Sequence, residues 1–126
     1  MSVADKINFR ILDRPDVPIR KYAEGDTILQ KGAVAREMFL LRKGRVDILL
    51  HDRIVEEVGP GGIFGEMALI DREPRAASVI AKTDCDVIPI DEKLFVSLVQ
   101  DAPYFAIDVM RVLVARIRLL DRYIQP

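Results

Sequence analysis

Between Gly59 and Ala81 the chain reads GPGGIFGEMALIDREPRAASVIA, and three kinds of residue in it could act on one charged ligand. Gly65 to Leu69 is compatible with a single helical turn, whose first backbone N–H groups have no partner inside the helix and can hold an anion. Arg75 supplies a planar, permanently charged fork that suits a phosphate better than lysine would, and the small residues Ala76 and Ala77 let a ligand approach the backbone. Glu66 would repel a phosphate, so its chemistry must be different. A carboxylate accepts hydrogen bonds from hydroxyls, and a ribose 2′-OH carried by the same ligand fits that need. Phosphate donors, a fixed arginine and a carboxylate acceptor in one loop describe a ribose phosphate site. With no Walker lysine and no magnesium motif, the residues point to binding rather than ATP hydrolysis. Taken singly, each of them favours a reading as part of a salt-bridged loop. The alternative is therefore a degenerate pocket in a protein-interaction or dimerisation module that binds no nucleotide.

The surrounding sequence must position this loop. From Ile19 to Ile90 short β-prone runs (TILQKG, MFLLRKG, RVDILLHD, RIVEEVGPGG, AASVIAKTD, CDVIPID) alternate with glycines at 25, 32, 44, 59, 61 and 62, which read as corners. In Arg45 to Leu49 the alternation puts Val46 and Ile48 on one side and Arg45, Asp47 and Leu49 on the other. Apolar spacing at Val3, Ile7 and Ile11 predicts a short helix before Pro15. After Asp91, the expected N-cap, Glu92 to Gln100 is one helix, and beyond Pro103 a longer one runs to about Ile124. The fold class is α+β: an antiparallel β-barrel of jelly-roll type with roughly eight strands, flanked by an N-terminal helix and two C-terminal helices. We read one domain over 1–126, with an N-terminal helical segment (1–18), the barrel (19–91, the loop within 62–78) and the C-terminal helices (92–126).

Composition bounds the function. A formal net charge of −1 over 126 residues leaves no basic footprint for phosphate-backbone contacts, so nucleic-acid binding by this chain alone is disfavoured. Apolar runs are too short to span a bilayer and the N-terminus carries acid and base, so no membrane partner and a cytoplasmic location are expected. The single cysteine, Cys85, cannot form an internal disulfide and reads as an inert structural thiol. His51 is the only histidine; beside Asp52 in a hairpin turn it cannot build a multi-histidine metal site, and no metal or cofactor is expected. No Ser/His/Asp arrangement or convincing carboxylate pair suggests an enzyme.

The run FGEMALIDREPRAASV, from Phe64 to Val79, resembles the phosphate-binding cassette of cyclic-nucleotide-binding domains, as in catabolite-activator proteins, cAMP-dependent kinase regulatory subunits and cyclic-nucleotide-gated channels. The resemblance extends from about Gly25 to the last helix and includes Gly32, Gly44 and MFLLRKGRVDIL. It implies a jelly-roll barrel that binds a cyclic nucleotide, with Glu66 on the ribose 2′-OH and Arg75 on the cyclic phosphate. Phe64, Gly65, Met67, Ala68, Ala76, Ala77 and Ser78 would complete the contacts, Ser78 at their margin. In the family a threonine directly after the arginine favours cGMP; Ala76 stands there, which implies cAMP in preference to cGMP.

On the last helix Asp108, Arg111, Ala115, Arg118 and Arg122 line up as one polar stripe. The apolar residues Val109, Leu113, Ile117, Leu120 and Ile124 spread over more surface than one barrel would cover, which points to a homodimer through this helix or to an unidentified effector protein. Arg116 falls outside the stripe, beside Val109, Val112 and Leu120. A buried arginine there needs an acid such as Glu66 or another barrel carboxylate, or it stacks on the base of the ligand, unless its head snorkels to water. Because the chain stops soon after this helix, the expected output is a helix rearrangement read by a partner.

Overall fold

The computed structural model describes residues 17–124; the helix expected over Val3 to Leu12 lies outside them. Eight strands and three helices follow one another: β1 (Arg20–Tyr22), β2 (Thr27–Leu29), β3 (Glu37–Lys43), β4 (Val46–Leu50), β5 (Arg53–Val58), β6 (Ile63–Phe64), α1 (Glu66–Asp71), β7 (Ser78–Ala81), β8 (Cys85–Asp91), α2 (Glu92–Asp101) and α3 (Tyr104–Ile124). The strands pair antiparallel in two four-stranded sheets, ordered β1-β8-β3-β6 and β2-β7-β4-β5. This is the expected jelly-roll with two helices after the barrel, and α1 interrupts the strands where the glycine-rich loop suggested a helical turn.

The first sheet separates two apolar clusters. In β3, Met38 and Leu40 face outward with Ile88 and Ile90 of β8, where Leu98, Phe105, Val109 and Val112 of the helices cover them. Phe39 and Leu41 face inward and pack with Val46, Val58, Val79 and Val87 between the sheets. Successive strand residues point to opposite faces, so a strand covered on both sides must be apolar throughout. That is why MFLL is a continuous run. Strand β4, covered on one side, alternates instead: Val46 is buried and Ile48 packs on the inner cluster.

The connections follow local chemistry. His51 and Asp52, with φ of 51° and 62°, form a two-residue reversal between β4 and β5, a conformation that His and Asp tolerate better than most residues. At Gly44, φ is 91° and an added Cβ would lie 2.2 Å from the Asp84 carbonyl oxygen, so no side chain fits there. Cys85 is buried, and burial pushes its thiol pKa up, so it stays protonated and unreactive.

Helix α2 starts where a carboxylate can cap it: the Leu94 N–H donates to Asp91 Oδ1 at 2.8 Å. Pro103 ends it by withholding a backbone donor and disfavouring helical geometry just before it. Replacing Asp91 by alanine should lower the stability to urea unfolding by about 1 kcal/mol, the usual worth of an N-cap, while Asp91→Asn should retain most of it. Equal losses for both variants would show that the cap bond contributes nothing.

Candidate functional site

Arg75 lies between α1 and β7 and is only 7% exposed. Its backbone is pinned to the turn after β2: its N–H donates to the Ala33 carbonyl at 3.0 Å and its carbonyl accepts from Gly32 at 2.8 Å. Its guanidinium donates to two backbone oxygens, Gly65 at 2.9 Å and Glu37 at 2.7 Å, and lies 5.8 Å from the centroid of the Phe39 ring, within cation–π range. These contacts orient the fork without neutralising it. Among the described residues no carboxylate forms an ion pair with Arg75. Burial pushes its pKa down, against the more distant charges of Glu37 and Glu66.

Gly65 makes this geometry possible. It precedes α1 with φ of 77°, and a Cβ there would sit 2.7 Å from Arg75 Nη1. Any side chain would both strain the backbone and displace the guanidinium.

Glu66, the first residue of α1, is 2% exposed. Arg116 of α3 donates to its Oε1 through Nη1. The same guanidinium donates from Nε and Nη2 to the two oxygens of Glu56 on β5, at 2.8 and 3.1 Å, and from Nη2 to the Ile63 carbonyl at 2.6 Å. Burial by itself would lower the Arg116 pKa, but the carboxylates of Glu66 and Glu56 outweigh it and hold the pKa above the usual arginine value. Of the readings open for Arg116, the structure selects the carboxylate partner, and with it a second acid that the sequence reading did not single out.

These groups line one cleft. Gly65, Glu66, Met67 and Ala68 contribute one wall; Arg75, Ala76 and Ala77 contribute the next, and Arg116 closes the site from α3. Two expected contacts lie elsewhere. Phe64 is fully buried and stacks on Phe39, with ring centroids 5.4 Å apart, so it braces the ring beneath Arg75 and does not reach the cleft. Ser78 uses its hydroxyl to accept the Lys31 N–H at 3.0 Å and is not part of the lining.

The rest of the lining is apolar, including Ile48, Leu50 and Val55 from the barrel and Leu119 and Leu120 from α3. The sequence reading missed these and Glu56. Strand parity carried a signal for Glu56: it stands two residues before the buried Val58 and opposite Ile48, which places a carboxylate on an inner face, where it needs a cation. Nothing comparable marks Leu119 and Leu120 as pocket rather than core.

The cleft thus offers a buried cation with no acid on it, a carboxylate at the start of α1 and an apolar chamber beyond them. The sequence and fold are similar to those of known proteins. The chain is 38% identical over 73 residues to the cAMP-dependent protein kinase regulatory subunit of Eremothecium gossypii, a match covering 58% of this chain and 16% of that protein. It is 33% identical over 81 residues to the cGMP-dependent protein kinase of Plasmodium berghei, covering 64% of this chain and 10% of the other. Its fold superposes on the crystal structure of Thermus thermophilus catabolite activator protein with a TM-score of 0.75 and 28% identity, covering 85% of this chain and 53% of that one. The chain spans about half or less of each of these relatives. Residues 19–102 match the model of the cyclic nucleotide-binding domain, and the chain belongs to the cyclic nucleotide-binding domain family.

Proposed function

We propose that the cleft binds cAMP in preference to cGMP, with Arg75 on the cyclic phosphate and Glu66 on the ribose 2′-hydroxyl, and that occupancy is relayed through α3 to a partner. The observation that carries this reading is the state of Arg75. A guanidinium this deeply buried is costly unless an anion meets it, and among the described residues it meets carbonyl oxygens and an aromatic face instead. A cyclic phosphate supplies one negative charge of the right geometry. The relatives named for cAMP and for cGMP support the ligand class and leave the choice of base to this chain's own lining.

The base is discriminated by what the chamber lacks. Guanine carries more exocyclic polar groups than adenine, and apolar walls such as Leu50, Val55 and Leu120 give them no partner. Each unsatisfied group costs about 1–3 kcal/mol. Ala76 provides no hydroxyl to compensate.

The relay follows from α1 and Arg116. Glu66 and Ala68 of α1 line the cleft, while Leu69 packs in the cluster with Phe105, Val109 and Val112. Arg116 ties Glu66 to α3 directly. A ribose hydroxyl engaging Glu66 therefore acts on the same helix through both a lever and an ion pair.

The opposite face of α3 suggests the receiver. Val109 and Val112 are covered by the barrel, whereas Ile107, Met110, Val114 and Ile117 are 38%, 55%, 48% and 61% exposed. Their spacing of three, four and three residues is that of a coiled-coil seam. A second copy of the chain, presenting the same stripe, is its natural occupant in this reading, and a homodimer forms through α3.

Four outcomes test the proposal. Calorimetric titration of nucleotide-stripped protein should give saturable binding with cAMP tighter than cGMP. Arg75→Ala should weaken cAMP by about 30-fold or more, equivalent to roughly 2–5 kcal/mol for a truncated buried charge contact. A folded protein that gives no heat with either nucleotide refutes the sensor and leaves a docking module. Ala76→Thr should narrow the preference for cAMP by raising cGMP affinity about tenfold, the worth of one added hydrogen bond in a dry site; an unchanged ratio would remove position 76 from specificity. In sedimentation velocity, Met110→Glu with Ile117→Glu should convert a dimer to a monomer with the fold intact, and a wild-type monomer at all concentrations would exclude the α3 seam as a self-interface.

A further inference from the structure

We infer that Glu56 is a positioning residue for ribose recognition: it holds Arg116 so that Glu66 keeps one carboxylate oxygen for the ligand's 2′-hydroxyl. The inference rests on the proposed role of Glu66 and extends it to a residue of the opposite sheet.

The hydrogen bonds divide the guanidinium unequally. Its Nε and Nη2 edge, the edge that matches a carboxylate bidentately, is directed at Glu56, with both oxygens of that acid engaged at 2.8 and 3.1 Å. The Ile63 carbonyl takes Nη2 as well, at 2.6 Å. Only Nη1 remains for Glu66, and it reaches Oε1 alone. Left with Glu66 as its one acid, the arginine would turn its bidentate edge onto that residue and cover both oxygens. The ribose hydroxyl would then compete with an intramolecular cation for its acceptor.

Glu56 has no evident reason to be an acid on packing grounds. It is 3% exposed, it pairs across the strands with Ile48, and Val58 two residues on is wholly buried. An apolar residue would fit the same face without the desolvation penalty that a buried carboxylate carries. Glu56 also lines the cleft itself, together with Glu66 and Arg116. Its carboxylate thus sits where the ligand binds and engages Arg116, the side chain that donates to Glu66.

The test compares cAMP with 2′-deoxy-cAMP, which keeps the phosphate and base and lacks the hydroxyl. Wild-type protein should prefer cAMP. In Glu56→Gln, an isosteric change, the ratio of the two affinities should shrink about tenfold, since a hydrogen bond to a charged acceptor is forfeited, while 2′-deoxy-cAMP binds nearly as before or slightly better. A general loosening of the fold would weaken both nucleotides alike and leave the ratio unchanged, and that result overturns the inference. Should Glu56→Gln fail to fold by circular dichroism, the same ratio is read on Glu56→Asp, which keeps the charge but is too short to hold both Nε and Nη2. A reduction of about threefold is expected there, and an unchanged ratio again overturns the role of Glu56. Wild-type protein that binds neither nucleotide overturns the ribose-site reading along with it, whereas wild-type binding with an unaltered ratio in the variants removes Glu56 alone.

Discussion

Four charged side chains, Glu56, Glu66, Arg75 and Arg116, are buried around the cleft between the barrel and α3, and their formal charges cancel. What matters is that they do not pair off evenly. Arg116 takes both acids, and Arg75 takes none among the described residues. Withdrawing each ion from water costs several kcal/mol, and only close opposite charge with satisfied hydrogen bonds recovers it. Arg116 recovers its cost inside the chain. Arg75 does so only in part, through dipoles and a ring face. If Glu66 instead neutralised Arg75, the cleft would hold a closed salt bridge and an anion would have to break it. The asymmetry leaves an arginine in the cleft whose charge no acid among the described residues meets directly.

Holding an unneutralised arginine in place demands a firm frame, and several unrelated features supply it. The turn at Gly32 and Ala33 fixes the backbone of Arg75, the carbonyls of Gly65 and Glu37 fix its fork, and Phe39 supports it from below with Phe64 stacked behind. The missing Cβ at Gly65 is as necessary as any of these, because the guanidinium occupies the space it would fill. A preorganised donor set of this kind loses little freedom when an anion arrives. The residues that look structural, a core phenylalanine and a turn glycine, are therefore part of the binding geometry.

Much of this was legible in the amino-acid sequence, and the limits have physical causes. The helices after Asp91 were readable because capping and the proline at 103 act locally, and Val46 and Ile48 because alternation within one strand is a local signal. The cassette residues Gly65 to Ala68 and Arg75 to Ala77 were readable because they are close in sequence and chemically unusual together. Phe64 entered the expected site as part of the run that resembles the cassette, although parity turns it away from its neighbour Ile63 and into the space between the sheets. Glu56 was missed for the converse reason: its partner is 60 residues away, and pairing at that distance is decided by topology. The need for an acid near Arg116 could be stated from a helical projection, but which acid depends on the register of β5 against β4. The apolar chamber is harder still, since Leu119 and Leu120 carry the same side chain as any core leucine.

Helix α3 joins these elements because its two faces do different work. One face carries Arg116 between two barrel acids and lays Val109 and Val112 on the outer cluster. The other carries the exposed stripe from Ile107 to Ile117. Arg116 and Ile117 are consecutive, about 100° apart on a rigid helix, so any movement of α3 carries both together. In the proposed function, a ligand that moves α3 through the hold of Glu66 on Arg116 presents a different surface to whatever packs on Ile117. By linkage, a partner that prefers one position of that surface must alter the affinity of the cleft by the same factor. In the proposed relay no separate transmission device is needed, because Arg116 and the exposed stripe are turns of one helix.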